Sequence, residues 1–365
     1  MRILFNNFKR AYEANKRSLD KAIGRVCKSG RYILGDEVTQ FEKNFAAYHK
    51  SRHAIGVANG LEALQIALMA LGIKEGDEVI TTSYSAVATA LSIRAVGAKP
   101  IFVDVDEYFH IDTNKIEAAI TSKTRAILPV HIFGQAAPMD TIMAIARKHN
   151  LAVIEDCAQA HGAEYKGKKM GTVGDVGCFS FYPTKNLGGF GDGGALITDS
   201  DRIAELSRMI RNYGQQNRYE HEIYGINSRL DELQAAILNA FLPNLDTHNE
   251  RRRAIASLYA ENLSDIASLQ LPKERRHAVP IYHLYVIETE KRNELQKYLD
   301  THGVASLIHY PIPIHKQKCF SEWNSLSLPH TEKKADHALS LPVHPYLTDK
   351  EVLYICKQVR NFFNQ

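Results

Sequence analysis

Between about residue 50 and residue 200 the chain alternates short apolar runs with amphipathic segments, and nothing else in the sequence limits the fold as much. Strand-length apolar runs fall at 78–82, 100–105, 125–130, 151–155, 177–181 and 195–198. Between them, 61–71, 86–96, 115–119 and 139–149 carry apolar residues at helical spacing. This order predicts an α/β architecture with a mostly parallel sheet sandwiched by helices. In such sheets ligands collect at the carboxyl ends of the strands.

After residue 229 the pattern changes. A long helical stretch runs from 229 to about 263 and is interrupted near Pro243. A strand-like run at 282–288, a helix near 292–302 and a last helix near 349–362 follow, while 264–280 reads as a surface link. The expected division is a large domain over residues 1–240 and a smaller C-terminal α/β domain over 241–365. Composition narrows the partners. Lys and Arg number 45 against 41 acidic residues, a net charge of +4 that gives no reason to expect a nucleic-acid partner. The 5 cysteines include no C-x-x-C pair, which fits a reducing cytosol better than a disulfide scaffold. The start turns polar at Asn6 and Asn7, too soon for a signal peptide, and no apolar run approaches the roughly 20 residues that span a bilayer. A cytoplasmic protein without membrane contact is expected.

Two familiar glycine patterns fail on context. Gly189-Phe190-Gly191-Asp192-Gly193-Gly194 matches G-x-G-x-x-G, but Pro183 precedes it and a strand-like run follows it, where a dinucleotide fold needs a strand before and a helix after. The segment 162–169 ends in Lys169 where a phosphate-binding loop needs Ser or Thr. The informative stretch is Glu155-Asp156-Cys157-Ala158-Gln159, an acid at the tip of an apolar run. A carboxylate there suits pyridoxal chemistry, which needs an acid to keep a pyridine nitrogen protonated. Capping of a following helix is the plainer use of Asp156. Lys185, just beyond the next strand and before a glycine-rich loop, is placed to reach the same crevice, and lysine forms Schiff bases with aldehydes. The histidines show no metal-like spacing, and no metal is expected.

Several further segments carry a resemblance. They are Ser29-Gly30-Arg31-Tyr32-Ile33-Leu34-Gly35, Ala58-Asn59-Gly60-Leu61-Glu62-Ala63-Leu64, Pro129-Val130-His131-Ile132-Phe133-Gly134-Gln135, and the acidic stretch above. Ser180-Phe181-Tyr182-Pro183-Thr184-Lys185-Asn186-Leu187-Gly188, Gly225-Ile226-Asn227-Ser228-Arg229, His309-Tyr310-Pro311-Ile312-Pro313 and Leu339-Ser340-Leu341-Pro342 follow in order. Over nearly its whole length the chain resembles the DegT/DnrJ/EryC/StrS sugar aminotransferases, which are fold-type-I enzymes of pyridoxal 5'-phosphate.

The resemblance implies roles. Lys185 would hold the cofactor as a Schiff base and shuttle the proton. Asp156 would pair with the pyridine nitrogen, and Gln159 would contact the ring hydroxyl. Backbone N–H groups of Gly60 and Leu61, opening a helix, would bind the phosphate with the Ser180 hydroxyl. Asn227 would reach the phosphate of a neighbouring subunit, so that the active unit is a homodimer with shared sites. Relatives often carry Ser or Thr at the position of Leu61, and a ring that stacks on the cofactor at that of Ala86. Tyr84 is the candidate substitute, with ordinary packing as its alternative. Tyr182, His309 and Tyr310 would line the sugar site, with a structural turn as the alternative for His309. The motifs resemble most the enzymes that aminate C3 of dTDP-3-oxo-6-deoxyhexoses, with L-glutamate as donor. C4 amination, a regulator without turnover and a keto-sugar dehydratase are the alternatives, and the related dehydratases carry histidine in place of the lysine.

Overall fold

The structure is a computed structural model that describes residues 2–364. Its central sheet is built from His53–Val57 (β1), Glu78–Thr82 (β2), Lys99–Val103 (β3), Thr124–Leu128 (β4), Ala152–Asp156 (β5), Val176–Ser180 (β6) and Gly194–Thr198 (β7). Their spatial order is β1-β7-β6-β5-β4-β2-β3. The pairs β2·β3, β2·β4, β4·β5 and β5·β6 are parallel, and only β7 runs against its neighbours. The carboxyl ends of β1, β2, β4, β5 and β6 therefore lie along one edge.

The apolar runs are unbroken because both faces of the sheet are covered. Successive side chains point to opposite faces. Ile127 joins Phe41, Phe45 and Phe179 in one core, while its neighbours Ala126 and Leu128 join Ile55, Leu64 and Ile66 in another. Helices Asp36–His49 (α2), Met139–His149 (α5) and Glu232–Phe241 (α7) supply the first core. Gly60–Ala70 (α3), Ala88–Ala95 (α4) and Asp201–Ile210 (α6) supply the second. The long Phe8–Ser29 helix (α1) packs on α7 through Ala22, Val26 and Ala236.

A third core belongs to the C-terminal part. Leu245–Leu263 (α8), Arg292–Thr301 (α9) and Asp349–Phe363 (α11) pack around an antiparallel pair, Tyr285–Glu288 (β8) and Ala338–Leu341 (β9), with Pro329–His337 (α10) leading into β9. Ile3, from the other end of the chain, is buried there too. The break expected near Pro243 is a short 3-10 turn, Leu242–Asn244, that separates α7 from α8.

Where the sequence suggests one helix at 115–119, the chain forms two 3-10 turns, Thr113–Lys115 and Glu117–Ala119. So short a stretch cannot offset the cost of nucleating an α-helix. The helices α1, α2 and α6 and the strand β1 go beyond the elements read from the sequence.

Candidate active site

Asp156 is the last residue of β5. Its N–H donates to the Pro129 carbonyl at 2.9 Å and its own carbonyl accepts from the His131 N–H at 3.0 Å. These bonds fix the buried carboxylate at the carboxyl edge of the sheet. Its Oδ2 accepts from the Thr89 hydroxyl at 2.8 Å and its Oδ1 from the Ala158 N–H at 3.1 Å. Burial pushes the Asp156 pKa up, and the Thr89 and Ala158 hydrogen bonds and the charge of Lys185 oppose the rise.

Lys185 follows β6 in a tight turn. Its N–H donates to the Tyr182 carbonyl at 2.8 Å, and the Gly189 N–H donates to the Phe181 carbonyl at 2.8 Å. Only glycine fits at 188, since a Cβ there would lie 2.6 Å from the Pro183 oxygen. The neighbouring Asn186 anchors the turn to the C-terminal part. Its Nδ2 donates to Asn249 Oδ1 at 2.8 Å and to the Ile281 carbonyl at 3.2 Å, and its Oδ1 lies 3.2 Å from His283 Nδ1. Burial draws the Lys185 pKa down to about 8 against the opposite pull of Asp156. More of this amine is neutral, and hence nucleophilic, near pH 7 than on a surface lysine. Lys185 also borders a cleft between the 183–189 turn, the start of α1 and the segment 344–346.

The third part is the start of α3. Asn59 caps this helix, its Oδ1 accepting from the Glu62 N–H at 2.9 Å and its carbonyl from the Ala63 N–H at 3.0 Å. The N–H groups of Gly60 and Leu61 are left free for an anion, at the positive end of the helix dipole. A Cβ on Gly60 would stand 2.6 Å from that of Ser180, so glycine lets the helix start and the end of β6 touch. That contact sets the Ser180 hydroxyl beside the free N–H groups.

Gln159 is oriented by its surroundings. Its Oε1 accepts from the Phe133 N–H at 2.7 Å, which leaves Nε2 to donate to the Tyr310 hydroxyl at 3.0 Å. Burial and the nearby Asp156 charge push the Tyr310 phenol up. His309 pairs through Nδ1 with Ser340 Oγ at 2.9 Å, and burial, with the Lys185 charge, draws its pKa down to about 4. Tyr84 is fully buried, its ring 5.2 Å from that of Phe109, and its hydroxyl donates to the His309 carbonyl at 2.7 Å. These contacts fit the packing role for Tyr84 rather than a stacking one. Ala86 is half-buried beyond the end of β2. Tyr182 and Asn227 are exposed. The Tyr182 N–H lies 3.3 Å from the Ser180 hydroxyl, and Asn227 adjoins Ser228, whose hydroxyl accepts from the Ala58 N–H at 3.1 Å.

Four groups in the site were not singled out from the sequence. Thr89 and Asn186 position Asp156 and the Lys185 turn. His161 donates from Nε2 to the Ser180 carbonyl at 2.8 Å, and His283 faces Asn186. The Thr89 hydroxyl lies 2.8 Å from that of Ser85, just before α4, a contact that only the fold makes. A separate buried trio, His131, Glu155 and Cys157, brings possible ligand atoms within 4.8 Å of one another. Hydrogen bonds account for its carboxylate: Glu155 pairs with His131 at 2.8 Å and accepts from the N–H groups of Gly171, Val173 and Gly174. It ties down the 171–174 loop.

A lysine of lowered basicity facing a strand-end carboxylate, with a helix start beside them on one edge of a mostly parallel sheet, defines the fold-type-I class of pyridoxal phosphate enzymes. The chain belongs to the DegT/DnrJ/EryC1/StrS aminotransferase family, whose profile matches residues 14–360. It is 45% identical over 357 residues to a pleiotropic regulatory protein of Geobacillus stearothermophilus, covering 96% of each chain. It is also 45% identical to the dTDP-3-amino-3,4,6-trideoxy-alpha-D-glucose transaminase of Streptomyces venezuelae, covering 99% of this chain and 96% of that one. The crystal structure of S. venezuelae DesV in complex with a ketimine intermediate superposes with a TM-score of 0.98 at 44% identity, covering 100% and 99% of the two chains. The family implies a pyridoxal phosphate cofactor. Among the described residues no helix is long and apolar enough to cross a membrane.

Proposed function

We propose that this enzyme transfers an amino group from L-glutamate to C3 of a nucleotide-linked keto-sugar, a dTDP-3-oxo-6-deoxyhexose, with pyridoxal 5'-phosphate held at Lys185. One observation carries the reading: a lysine with its pKa drawn down to about 8 stands with a buried carboxylate that Thr89 and Ala158 orient. When bound, the cofactor supplies an aldehyde for the amino group and a protonated pyridine ring that takes up electrons from a carbanion. The protein's residues fit it. Asp156 would hold the proton on the ring nitrogen, and Thr89, bonded to its Oδ2, would fix that carboxylate in place. Gln159, its Oε1 tied to Phe133, presents its amide beside Tyr310 to the ring hydroxyl. The free N–H groups of Gly60 and Leu61 and the Ser180 hydroxyl hold the phosphate.

Lys185 would then act as acid and base, holding and returning the proton that the reaction moves. A pKa near 8 suits both directions at neutral pH. His309, kept neutral by burial, and Tyr182 bind the sugar, and Tyr310 closes the site next to Gln159. Asn227 contributes to the phosphate site of a second copy, so we read the active unit as a homodimer. The C-terminal part, about 241–365, acts as the smaller domain that closes over the sugar. The dTDP-sugar name of the S. venezuelae relative supports the acceptor and its C3 regiochemistry. Five free cysteines fit a cytoplasmic setting.

The regulatory name of the G. stearothermophilus relative favours a second reading, in which the cofactor is bound without turnover. One experiment separates them. The absorbance of the lysine-bound cofactor is followed as L-glutamate is added, and the product from a dTDP-3-oxo-6-deoxyhexose is then identified by mass spectrometry. Loss of the band with formation of an amino sugar is the expected result. Loss of the band without amino sugar overturns the acceptor, and an unchanged band favours the regulator.

A further inference from the structure

The cleft bordered by Lys185 has no acidic residue in its wall, and it contains a buried cation without a counter-ion. Arg252, on α8, is only 4% exposed. Its Nη1 donates to the carbonyls of Val343 at 2.7 Å, Tyr282 at 3.1 Å and His283 at 3.4 Å. Among the described residues no carboxylate pairs with it, and its Nε is buried with no hydrogen-bond partner. Burial lowers its pKa only to about 10, so the guanidinium is charged at neutral pH. A buried charge compensated only by neutral carbonyls is costly. Beside it His344, 4% exposed, leaves Nδ1 buried and unpartnered, and His248 and Asn6 complete a basic and polar lining. Lys185 borders both this cleft and the Asp156 cluster, so the cleft is an approach to the reactive amine rather than a remote cavity.

We infer that this cleft is an anion subsite that receives a carboxylate of the dicarboxylic amino donor, with Arg252 as its principal charge partner. The inference rests on the aminotransferase reading of the site and adds to it a place for the donor. Arg252 supplies the missing half of an ion pair, and His344 and Asn6 supply polar contacts. A dicarboxylate brings its own counter-charge to the guanidinium. The diphosphate of the sugar nucleotide carries the same kind of charge, and the test separates the two sources.

The test is calorimetric titration of the cofactor-loaded protein with glutarate, which has both carboxylates and no reactive amine, and separately with inorganic pyrophosphate. Two variants are compared with the parent. Arg252→Gln keeps donors for the carbonyls while removing the charge, and His248→Asn changes a half-buried side chain at the rim. Thermal unfolding checks that both are folded. Glutarate is expected to bind the parent and to weaken roughly 10- to 100-fold in Arg252→Gln, the loss of one charge-assisted hydrogen bond, with a smaller loss in His248→Asn. Glutarate that binds all three proteins equally, or none, overturns the inference and leaves Arg252 as a brace between α8 and the 282–283 and 343 segments. Pyrophosphate affinity that falls in Arg252→Gln while glutarate affinity stays the same also overturns it, in favour of the diphosphate. Failure of the keto-sugar to be aminated, with glutarate binding intact and charge-dependent, would sink the proposed acceptor and leave this subsite standing.

Discussion

A single amine decides whether the site works, and burial sets its state. A lysine in water titrates near 10.5, whereas Lys185 is drawn down to about 8. Only the neutral amine attacks an aldehyde, so its fraction climbs as pH rises through the lowered pKa. We expect the rate at which cofactor-free protein captures pyridoxal phosphate to rise with pH around a midpoint near 8. A stopped-flow absorbance series measures it, and a midpoint near 10 would remove the burial argument. Lys185→Ala should give no lysine-bound band and no glutamate half-reaction; retained turnover in that variant sinks the mechanism. Asp156→Asn should cut turnover by roughly 100-fold or more, on the scale of a positioned acid–base group. Thr89→Val, which removes one hydrogen bond from that carboxylate, should cost about 3- to 10-fold in the same assay. Equal turnover in the parent and Thr89→Val would mean that Ala158 alone holds Asp156. Asp156 and Lys185 were legible because each ends or follows an apolar run. Thr89 was not, because it lies on α4 and meets Asp156 only once that helix is packed beside the end of β5.

Elements were legible where their own residues specify them. Strand β2 and helix α5 fall where the periodicity puts them, because two-sided burial leaves β2 apolar and α5 has a clear apolar stripe. Helix α1 is harder to read: only Leu19, Ala22 and Val26 are buried along it, although Asn7 caps its start and Gly30 ends it in the left-handed conformation. Helix α2 depends on a distant residue. No side chain of its own caps it at Gly35, and Glu232 of α7 does so instead. The Glu232 carboxylate accepts from the N–H groups of Gly35 at 2.7 Å, Glu37 at 2.9 Å and Val38 at 2.9 Å. No local pattern announces such a cap, since the acid and the helix it serves are nearly 200 residues apart. Removing it leaves three donors at a buried helix start without an acceptor. Glu232→Ala should therefore lower stability by roughly 2–4 kcal/mol, and Glu232→Gln, which keeps one acceptor oxygen, by less. Chemical denaturation with both variants measures this. Equal losses would mean that packing, and not the cap, holds α2 on α7.

At the scale of the molecule, the proposed homodimer bears on how the site is completed. Tyr224 is 95% exposed and Tyr219 78%, and Tyr182, Phe190 and Tyr213 add further exposed aromatic surface. Where such groups form one contiguous patch, they mark a surface that meets a partner. Asn227 stands two residues after Gly225, exposed on that same stretch of chain. The homodimer rests on the resemblance alone, because nothing in one chain's periodicity encodes a second copy. If Asn227 acts across the interface, two damaged proteins can repair each other. A Lys185→Ala chain keeps a sound Asn227, and an Asn227→Asp chain keeps a sound Lys185. In a mixed dimer one site then joins the intact lysine of one protomer to the intact asparagine of the other, while the second site has lost both. Random re-association makes half the dimers mixed, each with one working site, so the mixture should recover about one quarter of the parent's activity. The measurement needs the two inactive variants, gentle dissociation and remixing, and an assay of glutamate-dependent turnover before and after. Recovery towards that level means the phosphate site is built from two chains. If activity stays at the level of the separate variants although mixed dimers have formed, Asn227 serves its own chain or none, and the shared site is wrong.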